Sequence, residues 1–155
     1  MAGWGLTVLR VAVGLVFIAH GAQKLFGVFG GGGLPGTAAY FTFLGLAPAY
    51  PLAVLWAVIE AGCGALLFLG AWTRWAAMPL ALGMCVAIWK AHFVNGFFIN
   101  WALAPGIGHG YEFHLVLIAA CVCLSLSGAG ELSIDRLLHR NAESALAGRQ
   151  RIRGM

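Results

Sequence analysis

The stretch WGLTVLRVAVGLVFIAHGAQKLF, Trp4 to Phe26, decides the fold. At about 1.5 Å per residue its helix spans roughly 35 Å, enough to cross the hydrocarbon core of a bilayer. It nevertheless carries Arg10, His20, Gln23 and Lys24. Polar groups at such depth are costly unless they meet a partner or water. At about 100° per residue, Arg10, Gly14, Phe17, Gly21 and Lys24 fall on one side, with His20 one turn before Lys24. Leu9, Val11, Val16 and Ile18 lie opposite. The segment therefore has a lipid face and an interior face, and later segments must supply partners for the interior one.

The rest of the chain has the same character. Of its 155 residues 61% are hydrophobic and only 9% charged, and its mean hydropathy is +0.90. A soluble domain carries about 25% charged residues. So few charges cannot cover a globular surface, which makes this an all-α integral membrane protein, long enough for one compact domain of four crossings. The formal charge of +4 points to no nucleic acid, because the basic residues flank membrane segments or sit in the tail. No basic region precedes the first segment and "AHGAQK" is a poor cleavage site, so a retained first helix is expected. Cys63, Cys85, Cys121 and Cys123 lie in apolar stretches and form no Cys-x-x-Cys pair. They read as small buried side chains.

Gly30 to Gly33 break the first helix. Thr37 to Leu46 is too short to span and reads as a small interfacial helix or re-entrant segment. The second crossing runs from about Pro51 to Leu69, with Glu60 near its middle and Gly62, Gly64 and Ala65 allowing close packing. The third runs from about Trp75 to Phe93, contains Pro79, and carries Lys90 and His92 in its last turn. The fourth starts near Tyr111 or Glu112 and ends at Leu126. The expectation is an antiparallel four-helix bundle over residues 1–130. Residues 131–155 then form a cytoplasmic tail, amphipathic in SIDRLLHR and basic beyond.

Four crossings place both termini on one side. That side holds Arg10, Arg74, Arg136, Arg140, Arg149, Arg151 and Arg153, whereas Lys24 and Lys90 lie toward the other. The short-loop rule puts the arginine side in the cytoplasm of a bacterial inner membrane. His20, Gln23, Lys24, Lys90, His92, His109, Glu112 and His114 then collect at the outer end, with Glu60 one to two turns deeper.

Several chemistries fit these residues. Glu60 at mid-membrane needs a partner or stays neutral. An ion pair with Arg10 or a hydrogen bond to His20 is the structural reading, and a proton relay or substrate anchor the functional one. His20 exchanges protons near neutral pH and Lys24 stabilises developing negative charge. Together they suit a carbonyl, a quinone oxygen or an oxyanion. The plainer alternative is that Lys24 and Lys90 snorkel to the headgroups. Glu112 opens the fourth crossing, where the helix dipole alone favours it. It shares a face with His109, whereas His114 points elsewhere, so Glu112 is the better inward candidate. No metal-ligand spacing is present. His20 and His92 are the pair a b-type haem would need, but haem is not expected.

The motifs LRVAVGLVFIAHGAQKLFG (Leu9 to Gly27), VIEAGCGALLFLGAWTRWAA (Val58 to Ala77), HFVNGFF (His92 to Phe98) and GYEFHLVLIAACVCLSLSGAGELSID (Gly110 to Asp135) resemble the DoxX family of small four-helix membrane proteins. That resemblance implies a relation to the quinone-reducing membrane subunit of a thiosulfate oxidoreductase and to redox defence. It implies characteristic polar positions at Arg10, His20, Lys24, Glu60, Arg74, His92 and Glu112. The leading expectation is a quinone-linked membrane subunit. His20, Lys24, Lys90, His92 and Glu112 hold the head group in this reading, and His20, Lys24, Glu60 and Glu112 do the chemistry. A soluble redox protein is the expected partner, lipid surrounds the bundle, and self-association is open. A non-enzymatic scaffold and a small-solute or proton transporter are the competing readings.

Overall fold

The structure, a computed structural model, describes residues 2–141. In chain order its helices are α1 (Ala2–Phe26), α2 (Gly33–Phe43), α3 (Ala49–Leu69), α4 (Thr73–Ala87) and α5 (Glu112–Ser127). α4 continues through a π-helical turn at Ile88–His92 and a 3-10 turn at Phe93–Asn95. Among the described residues three apolar helical spans have membrane length: Gly3–Phe26, Ala49–Leu69 and Thr73–Asn95. The chain is thus an all-α, multi-span membrane protein with shorter helices between and after the long ones. α2 is the small helix expected after the glycine run, starting a little earlier than Thr37. Pro51 falls in the first turn of α3, where its missing N–H costs nothing.

Glycine sets the distance between α1 and α3. A Cβ on Gly14 would lie 2.7 Å from the Phe68 nitrogen and 2.8 Å from the Gly64 oxygen, and one on Gly21 would lie 2.8 Å from the Ala61 Cα. The backbones therefore touch, as small residues allow in a membrane. Contacts descend α3 as they climb α1, so the two helices run antiparallel. The core joins Val13 and Phe17 of α1, Leu67 of α3, Leu80 and Met84 of α4, and Leu117, Cys121 and Leu124 of α5. Trp56 lies across Gly83 and fixes α3 on α4. Val8, Leu15, Leu55, Val58, Leu82, Val86 and Val116 point outward, the faces that lipid covers.

Arg10 closes one end of the molecule. Its side chain is 1% exposed. Nε donates to the Ala129 carbonyl at 3.0 Å, Nη1 to the Leu67 carbonyl at 2.5 Å and also to that of Phe68, and Nη2 to the Leu132 carbonyl at 2.5 Å. The expected Arg10–Glu60 ion pair is therefore not formed. The planar fork of donors reaches the last carbonyls of α3, sharing that of Leu67 with the Gly70 N–H, which donates to it at 3.1 Å. Glu60 is out of reach in any case. It packs beside the level of Gly21, roughly 16 Å along α1 from Arg10.

The segment after α5 completes this end. The Asp135 carboxylate accepts from the Trp72 and Thr73 N–H groups at 2.7 and 3.0 Å, capping the start of α4. The Asp135 N–H donates to the Gly70 carbonyl at 2.9 Å. Gly70 ends α3 in the left-handed conformation at φ 70°, and a side chain there would collide with Ser133 and the Arg10 guanidinium. The Glu131 N–H reaches the Thr7 hydroxyl at 3.0 Å. The chain just past residue 130 is thus anchored to α1 and α3. Residues 134–141 form an exposed helical stretch, in which Arg136 pairs with Glu131. The rest of the expected basic tail lies outside the described residues.

Candidate functional site

The opposite end holds the polar cluster, and its centre is an ion pair. Lys24 Nζ stands 2.5 Å from Glu60 Oε2, with the side chains 23% and 3% exposed respectively. Side chains on a helix lean toward its N-terminus. The Lys24 side chain therefore runs back along α1 toward the level where Gly21 meets Ala61 and Glu60 waits on α3. Glu60 is consequently a member of the cluster at this end rather than a deeper, separate group. Counting Cα rise alone hid this, because it ignored the direction of the lysine stem.

His20 lies a turn below Lys24 on a more exposed part of α1, beside Gln23 and within electrostatic reach of Lys24 and Glu60. On the facing side, His92 and His114 stack with ring centroids 3.9 Å apart and planes tilted by 36°. His92 Nδ1 is 2.9 Å from the His109 carbonyl oxygen, to which Asn95 also donates at 3.1 Å. His114 in turn lies within electrostatic reach of His92, His20 and Lys24. Its Nδ1 is buried without a hydrogen-bond partner. The π-helical turn at Ile88–His92 adds a residue to the helical repeat and so changes the direction in which Lys90 and His92 leave the helix.

The structure thus gathers His20, Lys24, Glu60, His92 and His114. It leaves Lys90 with its ammonium 4.4 Å from the Trp89 ring centroid, a cation–π contact at the rim. Glu112 turns to the loop: its Oε1 accepts from the Ile99 N–H at 2.9 Å and its own N–H donates to the Phe97 carbonyl at 2.9 Å. The expected order of the two is therefore reversed, with His114 in the cluster and Glu112 tying down the loop. The signal for His114 was present in the sequence. His114, Leu117, Cys121 and Leu124 recur at helical spacing, and the last three are the buried stripe of α5. Among the described residues no group of three or more His, Cys, Asp or Glu side chains is placed to hold a metal ion.

Chemically, the cluster offers an ammonium, a carboxylate and imidazoles around one level of a membrane protein. Such a set can donate hydrogen bonds, offset negative charge and exchange protons. Fold and site together define a multi-pass α-helical membrane protein with a part-buried ion pair and a histidine cluster at one end. The DoxX family model matches residues 5–93, and the chain belongs to that family. The match covers α1 to α4 and His92, and leaves α5 with His114 outside it. The uncharacterized membrane protein Rv3486 of Mycobacterium tuberculosis is 34% identical over 137 residues, covering 86% of this chain and 81% of the relative. The putative oxidoreductase CatD of Bacillus subtilis is 29% identical over 140 residues, covering 90% and 91%. The second likeness gives a link, at the level of relatives, to a protein named an oxidoreductase. No solved structure matches the chain.

Proposed function

We propose that this protein is the membrane subunit of a quinone-linked oxidoreductase or redox-defence system, and that its histidine–lysine cluster receives a quinone head group. In this reading α5 is the fourth crossing of an antiparallel bundle, both termini are cytoplasmic, and the cluster opens on the outer side of the inner membrane. The observation that carries the proposal is the Lys24–Glu60 pair. Desolvating two charges is expensive, and an intramembrane ionisable pair is retained where it serves a site. The donor set fits a ring with two carbonyl oxygens. Lys24 offsets charge that develops on an oxygen, His20 exchanges a proton, and the Glu60 carboxylate holds the ammonium in place. A bound quinone would supply a two-electron acceptor, with a soluble redox protein as the donor. The oxidoreductase name of the Bacillus relative supports the same class.

The competing reading is a scaffold, favoured by Arg10, whose buried charge is used wholly in binding carbonyls. The two readings separate in one experiment. Detergent-purified protein is titrated with a short-tailed benzoquinone or naphthoquinone while tryptophan fluorescence is followed. The expected result is saturable quenching that Lys24→Gln weakens at least tenfold and Gln23→Ala leaves within twofold. Absence of saturable binding to the wild type overturns the quinone reading in favour of the scaffold.

A further inference from the structure

Arg74 stands in the first turn of α4, the end of a helix where the dipole disfavours a cation. It is exposed. Among the described residues it makes no hydrogen bond and no ion pair. Its guanidinium lies over Gly128 at the end of α5, where an added Cβ would be 3.4 Å from Nε, yet it donates to no carbonyl there. Arg10, at the same end, commits its fork to four carbonyls. Arg74 keeps all its donors available.

Beside Arg74 is a cavity of about 490 Å³ between the start of α4, the end of α5 and the segment that follows, a size that suits a small-molecule site. Arg136 and His139 also line it, and Leu6, Trp72 and Trp75 supply apolar wall. The carboxylate in the wall, Asp135, is engaged by the Trp72 and Thr73 N–H groups. Arg136 is paired with Glu131. The charge left without a counter-ion is therefore that of Arg74.

Depth identifies the ligand. Thr73 opens the span Thr73–Asn95, so Arg74 lies where the apolar stretch begins. Trp72 and Trp75, 70% and 74% exposed, are the residue type that gathers at a membrane–water interface. From the cavity an exposed apolar stripe, Trp75, Met78, Leu82 and Val86, runs along α4 at helical spacing. A guanidinium at headgroup level above an apolar stripe matches a molecule with a phosphate at one end and acyl chains at the other. Basic pockets between membrane helices bind anionic headgroups in this way.

We propose that this cavity holds the headgroup of an anionic phospholipid, with its phosphate on the Arg74 fork and its chains along the stripe of α4. The planar fork suits two phosphate oxygens. Arg136 and His139 favour a headgroup of net negative charge over a zwitterionic one.

Delipidated full-length protein in detergent is titrated with dihexanoyl phosphatidylglycerol or dihexanoyl phosphatidylcholine, and bound copies are counted by native mass spectrometry. Inorganic phosphate is added as a competitor. Phosphatidylglycerol should bind saturably, phosphatidylcholine about tenfold more weakly, and phosphate should not displace the lipid. Arg74→Gln should weaken phosphatidylglycerol binding about tenfold and keep the lipid-free Tm within about 2 °C, because the side chain holds no protein partner. Arg140→Gln removes a cation of the same end that does not line the cavity, and should keep the affinity within about twofold. Equal affinity for the two lipids overturns the proposal, as does wild-type binding in Arg74→Gln. An equal loss in Arg140→Gln also overturns it, by showing diffuse attraction to a basic surface. Displacement by inorganic phosphate assigns the site to a free anion and overturns the lipid. If Arg74→Gln lowers the lipid-free Tm, Arg74→Lys decides: weaker lipid binding at unchanged Tm supports the fork contact, and wild-type binding overturns it.

Discussion

Arg10 and Lys24 occupy the same face of α1, yet each solves the cost of a charge in a membrane helix differently. Lys24 meets an opposite charge, Glu60, at 2.5 Å. Arg10 meets carbonyl oxygens from two separate parts of the chain. Five N–H donors in a rigid fork are what allow one side chain to do this, and an ammonium does not have that reach or shape. Arg10→Ala should therefore destabilise the protein by about 4 kcal/mol, the scale of losing a buried charged network. Arg10→Lys should recover less than half of that. Thermal unfolding in detergent checks both, and full rescue by lysine would show that charge, not fork geometry, is what the carbonyls need. The sequence made the presence of an inward arginine evident. It hid the partner, because backbone carbonyls carry no signature in a list of residues.

At the scale of elements, the contact between α1 and α3 depends on the absence of side chains. A methyl group on Gly14 would enter the backbone of Phe68 and Gly64, which have no flexible atoms to move aside. Gly14→Ala should cost about 1–3 kcal/mol by overpacking and displace Lys24 relative to Glu60. Gly5→Ala, where a methyl meets nothing within 4 Å, is the control and should be neutral. Thermal unfolding of both variants measures the difference. The long helices and the short helix after the glycine run were legible because hydropathy and glycine act locally. Two features were not. The π-helical turn at Ile88–His92 changes the register just where histidine directions matter, and its residues look like any apolar helix end. The Asp135 cap on α4 joins residues far apart in sequence, so no local pattern announces it.

At the scale of the whole molecule, the basic residues separate by kind. Arg10, Arg74 and Arg136 stand at one end with the segment after α5, while Lys24 and the loop carrying His109 stand at the other. Short-loop arginines favour the cytoplasm. With the four native cysteines replaced by serine, Ile107→Cys should react with a membrane-impermeant maleimide added to spheroplasts, and Leu137→Cys should not until the cells are opened. The reverse pattern would invert the orientation. The Arg10 network also has a consequence for the order of events during synthesis. The first helix leaves the ribosome carrying a guanidinium whose acceptors at Ala129 and Leu132 have not yet been translated. Until they emerge, only the Leu67 and Phe68 carbonyls of α3 are there to share that charge with water and lipid phosphates. A chain that stops before residue 129 therefore leaves α1 packed on α3 but with its guanidinium half-satisfied, holding two of its four carbonyl acceptors.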